Sequence, residues 1–183
     1  MLEYRSDPDV CRYQSFEPGS LADVEAFIGG TQPNAFDTAG TWFQFAIRLQ
    51  ESDLVVGDIG AHFTSDDARQ VEIGFTVAPK YQGRGYGAES VSGLLSFLLV
   101  DCNKHRVFAS VDPRNEASIK LLRRVGMREE AHFRQSLWFK GEWVDDMVFG
   151  ILESEWSERC SRSQRSSLLT GGRSGSTSGP PRS

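Results

Sequence analysis

Val71-Glu72-Ile73-Gly74-Phe75-Thr76-Val77-Ala78-Pro79-Lys80-Tyr81-Gln82-Gly83-Arg84-Gly85-Tyr86-Gly87 is the stretch that decides the fold. It reads as an apolar strand, a short turn, and a glycine-rich loop opening a helix. Gly83, Gly85 and Gly87 remove side chains where consecutive backbone N–H groups would point at one anion, and the helix that begins there adds the positive end of its dipole. A strand feeding such a cradle suits a phosphorylated cofactor. A tight turn needing positive φ is the plainer alternative. The spacing is not that of a P-loop, because no Gly-x-x-x-x-Gly-Lys-Ser/Thr occurs. It is not the dinucleotide fingerprint either, because the glycines alternate as Gly-x-Gly-x-Gly.

A second motif follows: Val111-Asp112-Pro113-Arg114-Asn115-Glu116-Ala117-Ser118, then Ile119, Leu121, Leu122, Val125, Gly126 and Met127. With Gln82-Gly83-Arg84-Gly85-Tyr86-Gly87, it resembles the GNAT superfamily of acyl-CoA-dependent N-acyltransferases. The similarity is closest to the branch that acetylates ribosomal-protein N-termini and to relatives acting on antibiotics and polyamines. The resemblance covers residues 7 to 152. Met127 stands where the family usually has phenylalanine.

Composition fits one domain. The 183 residues are 39% hydrophobic and 25% charged, which is ordinary for a globular chain. No apolar run approaches the roughly 20 residues needed to span a bilayer, and the start carries no apolar signal-peptide core. Cys11, Cys102 and Cys160 are odd in number and widely spread, favouring a reduced, cytoplasmic protein. His62, His105 and His132 are isolated, so no metal site is expected.

Residues 157–183 hold five arginines and one acid, a net of +4, which leaves −9 on residues 1–156 of a chain whose total is −5. The acidic body argues against nucleic acid as a partner and is compatible with a basic amine. Residues 1–156 are expected to form the domain. Residues 157–183, rich in Ser, Gly and Arg, are expected to be a disordered tail.

Periodicity outlines the elements. Ser20 caps a helix bearing Leu21, Val24, Phe27 and Ile28, and Phe43, Phe45, Ile47 and Leu49 alternate as a strand. Further strands run from Leu54 to Phe63, Val71 to Val77 and Arg106 to Val111. Helices follow the glycine loop and span Ala117 to Val125, and a hairpin turns at Lys140-Gly141-Glu142. The fold class is α/β (α+β): a GNAT-type mixed, mostly antiparallel sheet with helices on both faces and a splayed central strand pair. Against the family pattern, the first strand and most of the first helix are missing. An exposed sheet edge is therefore expected, with self-association through it.

The resemblance implies acetyl-CoA as cosubstrate and no metal. The backbone of Gln82, Gly83, Arg84, Gly85, Tyr86 and Gly87 would hold the pyrophosphate. The backbone of Phe75, Thr76 and Val77 would pair with the pantetheine arm, with an amide near Phe75 or Thr76 on the oxyanion. Arg84 would meet a phosphate or stay solvated. Asn115 would bond the pantetheine region, cap the next helix, or both.

On the 71–77 strand, Glu72, Gly74 and Thr76 share the face opposite Val71, Ile73, Phe75 and Val77. Glu72 is thus the candidate base, working through water, with a cross-strand salt bridge as its alternative. The tyrosine many family members use to protonate the thiolate aligns with Leu122. Ser118 is the candidate replacement, as in the ribosomal-protein branch; a helix-start serine bonded to backbone is the rival. That branch's late glutamate aligns with Leu137, which weighs against a ribosomal-protein acceptor.

On the acceptor side stand Phe133, Trp138, Phe139 and Trp143, which read as core or cross-strand pairs before a substrate cage. Asp145 or Asp146 would bind an ammonium group, and Trp42 and Phe36 would line the acceptor groove. The expected function is transfer of acetyl to a primary amine, possibly a protein N-terminus. Antibiotic or polyamine acetylation and non-catalytic acyl-CoA binding are the alternatives.

Overall fold

Alternating apolar residues on neighbouring segments bring the strands into register in a computed structural model that describes residues 1–30 and 36–171, with side chains through residue 162. The elements are α1 (Leu2–Arg5), α2 (Pro8–Cys11), α3 (Leu21–Gly30), β1 (Thr41–Arg48), β2 (Val55–Phe63) and β3 (Gln70–Val77), then α4 (Tyr86–Ser96), β4 (Arg106–Val111), α5 (Glu116–Val125), β5 (Arg128–Phe139), β6 (Glu142–Leu152) and α6 (Glu153–Gly171). The sheet order is β1-β2-β3-β4-β6-β5, antiparallel except between β3 and β4. This is the expected mixed, mostly antiparallel α/β arrangement.

The parallel pair is short. Gln70, Val71 and Glu72 lie beside Arg106, Val107 and Phe108, and beyond them the two strands carry no further pairing. That splay creates the cleft.

On one face, Val71, Ile73, Phe63 and Val107 meet Val91, Leu95, Leu98 and Leu99 after the loop, and Ile119, Leu122 and Val125 of α5, all in one buried core. Leu122 is fully interior at 1% exposure, so its position serves packing. The helix α5 ends on Gly126, whose φ of 101° lets Gly126 N–H and Met127 N–H close on the carbonyls of Arg123 and Leu122. Met127 then turns inward and is buried. The opposite face carries Asp58, Glu72 and Thr76, and α1 docks there through Tyr4 and Arg5.

Two expectations are corrected here. The boundary set at residue 157 falls inside α6, which runs Glu153–Gly171. It is anchored by buried Trp156, whose Nε1 donates to Ser96 Oγ at 3.2 Å, while Arg159 Nη2 donates to the Arg124 carbonyl at 3.0 Å. Composition hid this because one tryptophan and one arginine supply the contacts; residues 172–183 lie outside the described residues. Phe36, expected in an acceptor groove, instead packs edge-on against Phe43 and Phe63, with ring centroids 5.2 and 5.1 Å away.

Candidate active site

Backbone alternation decides which groups face the cleft. Ala78 N–H bonds Val56 O and Thr64 N–H bonds Gln70 O, with unbroken register between them. In an antiparallel ladder this directs the N–H and C=O of Glu72, Gly74 and Thr76 toward β2, and those of Ile73, Phe75 and Val77 toward the β4 side. The expected pantetheine pairing therefore narrows to Phe75 and Val77; the Thr76 amide belongs to the sheet. Two glutamines already reach these strand carbonyls: Gln14 Nε2 donates to Phe75 O at 3.5 Å and Gln82 Nε2 to Val77 O at 2.9 Å. The amides of both residues stay turned to the gap.

At the end of β3 the chain makes a single 3₁₀ turn, Pro79–Tyr81, and enters the glycine loop. Gly83 and Gly85 have φ of 71° and 91°, the left-handed region where glycine alone is unstrained. Gly85 is the N-cap of α4 and offers no side chain to its first amides, so those donors point outward and carry the helix dipole. A Cβ on Gly87 would stand 2.8 Å from Leu121 Cδ1, so this glycine lets α4 approach α5.

These elements line a cavity of about 490 Å³. Of the expected residues, Phe75, Thr76, Val77, Gln82, Gly83, Gly85, Tyr86, Gly87, Asn115 and Ser118 are brought together there. Arg84 is not among the lining residues; its guanidinium sits 5.8 Å from the Tyr81 ring centre. Glu72 is not among them either. The cavity also takes in Val10, Tyr13 and Gln14 from the N-terminal segment and Lys120, Leu121 and Arg124 from α5. Lys120 and Arg124, four apart on one helix, were the signal in the sequence for a cationic wall beside an anionic ligand. The distant N-terminal residues left no comparable signal.

Asn115 caps α5, its Oδ1 accepting Ser118 N–H at 3.1 Å, and it borders the cavity at the same time. The Ser118 hydroxyl has no protein partner among the described residues. Thr76 is 4% exposed, and its Oγ1 is buried without a hydrogen-bond partner among the described residues.

Glu72 lies on the face opposite α4 and α5. Its Oε2 is 3.7 Å from His62 Nδ1. Burial raises its carboxyl above the ordinary range, and nearby Asp146 adds to this while His62 opposes it. Asp146 accepts from Ser110 Oγ at 2.6 Å. Asp145 is committed elsewhere, to His132 at 2.9 Å and Gln135 N–H at 2.9 Å, which hold its carboxyl below the usual range. Trp138 and Trp143 form a cross-strand edge-on pair at 5.3 Å, yet each is 58% exposed, so they are not core. Phe133 and Leu137 are exposed as well. Among the described residues, no group of three or more His, Cys, Asp or Glu side chains is placed to hold a metal, and no helix is long and apolar enough to cross a membrane.

A splayed parallel pair, a glycine loop capping a helix and a cleft between them define an acyltransferase fold. Residues 1–128 match the family model described as an acetyltransferase (GNAT) domain, and the chain belongs to that family of N-acetyltransferases. It is 30% identical over 157 residues to the uncharacterized N-acetyltransferase YnaD of Bacillus subtilis, covering 86% of this chain and 88% of that one. It is 22% identical over 125 residues to the ribosomal protein uS5 alanine N-acetyltransferase of Escherichia coli, covering 68% and 64% respectively. Among solved structures, the GNAT-family acetyltransferase of Bacillus anthracis superposes with a TM-score of 0.72 at 27% identity, covering 84% of this chain and 87% of that one.

Proposed function

We propose that the protein transfers an acetyl group from acetyl-CoA to a primary amine by direct attack in a ternary complex, with a protein N-terminal α-amine as acceptor. The observation that carries this is the cavity running from the glycine loop and α4 N-terminus to the outward amides of Phe75 and Val77. A phosphate-sized anion fits one end and an extended amide chain the other.

In this reading, the pyrophosphate rests on the amides around Gly83, Gly85 and Gly87, with Lys120 and Arg124 nearby. The acceptor loses a proton to Glu72 through water, and its lone pair attacks the thioester carbon. The resulting oxyanion is held by a cleft-facing amide of β3. Collapse breaks the C–S bond; the departing thiolate takes a proton from the Ser118 hydroxyl, which regains one from the proton that the acylated nitrogen must still lose. An α-amine with a pKa near 8 needs little help from a base, whereas a polyamine nitrogen near 10.4 needs more. The second reading, a polyamine or other small cationic acceptor, is favoured by the neighbouring carboxylates of Glu72 and Asp146, which would receive an ammonium group. Self-association through the free edge of β1 is a further part of this reading, and light scattering across a concentration series tests it.

The deciding experiment measures free-thiol release from acetyl-CoA against an alanine-initiated peptide, spermidine and an aminoglycoside. Turnover with the peptide supports the first reading, and turnover with spermidine or the aminoglycoside alone supports the second. Stabilisation by acetyl-CoA without thiol release from any amine would make the protein a binding module and overturn both.

A further inference from the structure

Three side chains on adjacent strands stand in one row. The register pairs Trp42 of β1 with His62 of β2, and His62 with Glu72 of β3. Cross-strand partners share a face, so the row lies on the side of the sheet away from α4 and α5. The Trp42 indole lies flat on the His62 imidazole, with ring centres 4.9 Å apart and planes 12° apart. That stack fixes the imidazole plane and leaves Nδ1 3.7 Å from Glu72 Oε2. Trp42 itself is 40% exposed.

Among the described residues, the other groups around Glu72 offer it no cation. From β6 comes the Asp146 carboxylate, which works against a second negative charge. From β4 comes Phe108, whose ring is covered by Arg106 at 4.6 Å, and the Arg106 guanidinium is committed to Glu130 at 2.5 Å. His62 is therefore the group on this face that favours the charged form of Glu72, and burial and Asp146 both oppose that form.

We propose that His62, held by Trp42, is a positioning residue that keeps the Glu72 carboxylate ionised and aimed for proton abstraction. This rests on the reading of Glu72 as the base. The isolated histidine at position 62 gains its role from the sheet register, which places it beside a residue ten positions later in the chain. His62 is not among the residues lining the cavity, so its effect is expected in the proton-transfer step rather than in cofactor binding.

The test is His62→Phe, which keeps a flat ring against Trp42 and removes Nδ1. Rates of thiol release at saturating acetyl-CoA are measured across pH for the parent, His62→Phe, His62→Gln and Glu72→Gln. The ratio of variant to parent at each pH cancels the acceptor's own titration. For His62→Phe we expect about a 10-fold loss at the acidic end, a fraction of the roughly 100- to 10,000-fold that a general base contributes, recovering as pH rises. The acid limb moves to higher pH, while the melting temperature and the CoA-induced shift stay at parental values. His62→Gln, which restores a donor, recovers part of the rate. An unmoved limb in His62→Phe overturns the proposal, as does a lowered melting temperature with a pH-independent loss. If Glu72→Gln abolishes the limb while His62→Phe leaves it in place, only the His62 proposal fails. A parental profile in Glu72→Gln removes the base reading itself, and the proposal with it.

Discussion

Arg5 and Asp58, 53 positions apart in the chain, meet in a buried ion pair: the guanidinium Nε donates to Oδ2 at 3.1 Å, and Nη2 reaches Oδ1. Tyr4 OH donates to the same carboxylate at 2.5 Å, and Gln44 Nε2 donates to it at 2.6 Å. The Arg5 guanidinium lies beside the stacked rings of Phe16 and Phe27, 5.8 and 5.6 Å from their centres. This cluster fastens α1 to β2, next to the β3 residues that line the cleft. Removing one partner of a buried pair strands the other charge at a cost of about 3–5 kcal/mol. Asp58→Ala is therefore expected to lose about that much in urea unfolding. A loss below about 1 kcal/mol would mean that the N-terminal helices are not held by this pair.

The cofactor loop is tested by charge at fixed backbone. Asparagine tolerates left-handed φ better than most residues, so Gly85→Asn and Gly85→Asp share much the same backbone cost. Acetyl-CoA at 100 times its Kd stabilises a single-site protein by about 2.7 kcal/mol. Gly85→Asp is expected to lose most of that stabilisation and Gly85→Asn to keep a larger part, because only the aspartate sets a carboxylate against the pyrophosphate. Equal responses from the two variants would show that no anion sits there.

Glu72→Gln separates catalysis from stability. Burial raises the folded carboxyl above its unfolded range. A raised group contributes stability that is fully present below its unfolded pKa and is lost as pH rises through its folded pKa. At neutral pH, then, the native glutamate is a liability, and the glutamine variant should melt at or above the parent. That advantage should vanish once pH falls below the ordinary carboxylate range. Activity should move the opposite way, depressed near neutrality and recovering as the acceptor deprotonates unaided. A destabilised Glu72→Gln at pH 7 would indicate a structural salt bridge with His62 instead.

Ser118 and Asn115 divide two roles that the sequence alone superimposed. Asn115 Oδ1 takes the Ser118 amide, and Ser118 lines the cavity with no protein partner for its hydroxyl among the described residues. Asn115→Ala should cost about 1 kcal/mol of stability through the lost cap. Ser118→Ala should lower kcat with little change in acetyl-CoA affinity. Parental kinetics in Ser118→Ala would remove it as the thiolate's acid.

Much of this was legible because strands announce themselves locally. The alternation of Val71 to Val77 gave both the strand and the face of Glu72, and the Gly83–Gly85 spacing gave the loop. What escaped were relationships set by register between distant residues. Trp42, His62 and Glu72 are unremarkable singly and become a row only when β1, β2 and β3 align. That the amides of Phe75 and Val77, and not that of Thr76, turn toward the gap depends on which ladder positions are hydrogen-bonded, a property of the pair and not of either strand. Likewise Tyr13 and Gln14 reach the cavity through bonds to distant segments, Tyr13 OH donating to Arg114 O at 3.3 Å and Gln14 Nε2 to Phe75 O at 3.5 Å.

The last element, α6, gives a prediction opposite to the one its composition suggests. Arg159 covers Gly126 so closely that a Cβ there would lie 2.9 Å from its Nη1, and it donates to the Arg124 carbonyl at the end of α5. A cation at a helix C-terminus contributes about 0.3–1 kcal/mol. Deleting residues 157–183 removes Arg159 but keeps Trp156, so a loss of about that size is expected, with kcat unchanged. Trp156→Ala in the full chain removes a side chain only 5% exposed and should cost about 3–5 kcal/mol. The two variants thus rank the anchor against the cap. Should the truncation cost as much as the tryptophan change, residues beyond 156 would hold the sheet far more firmly than one capping arginine can explain.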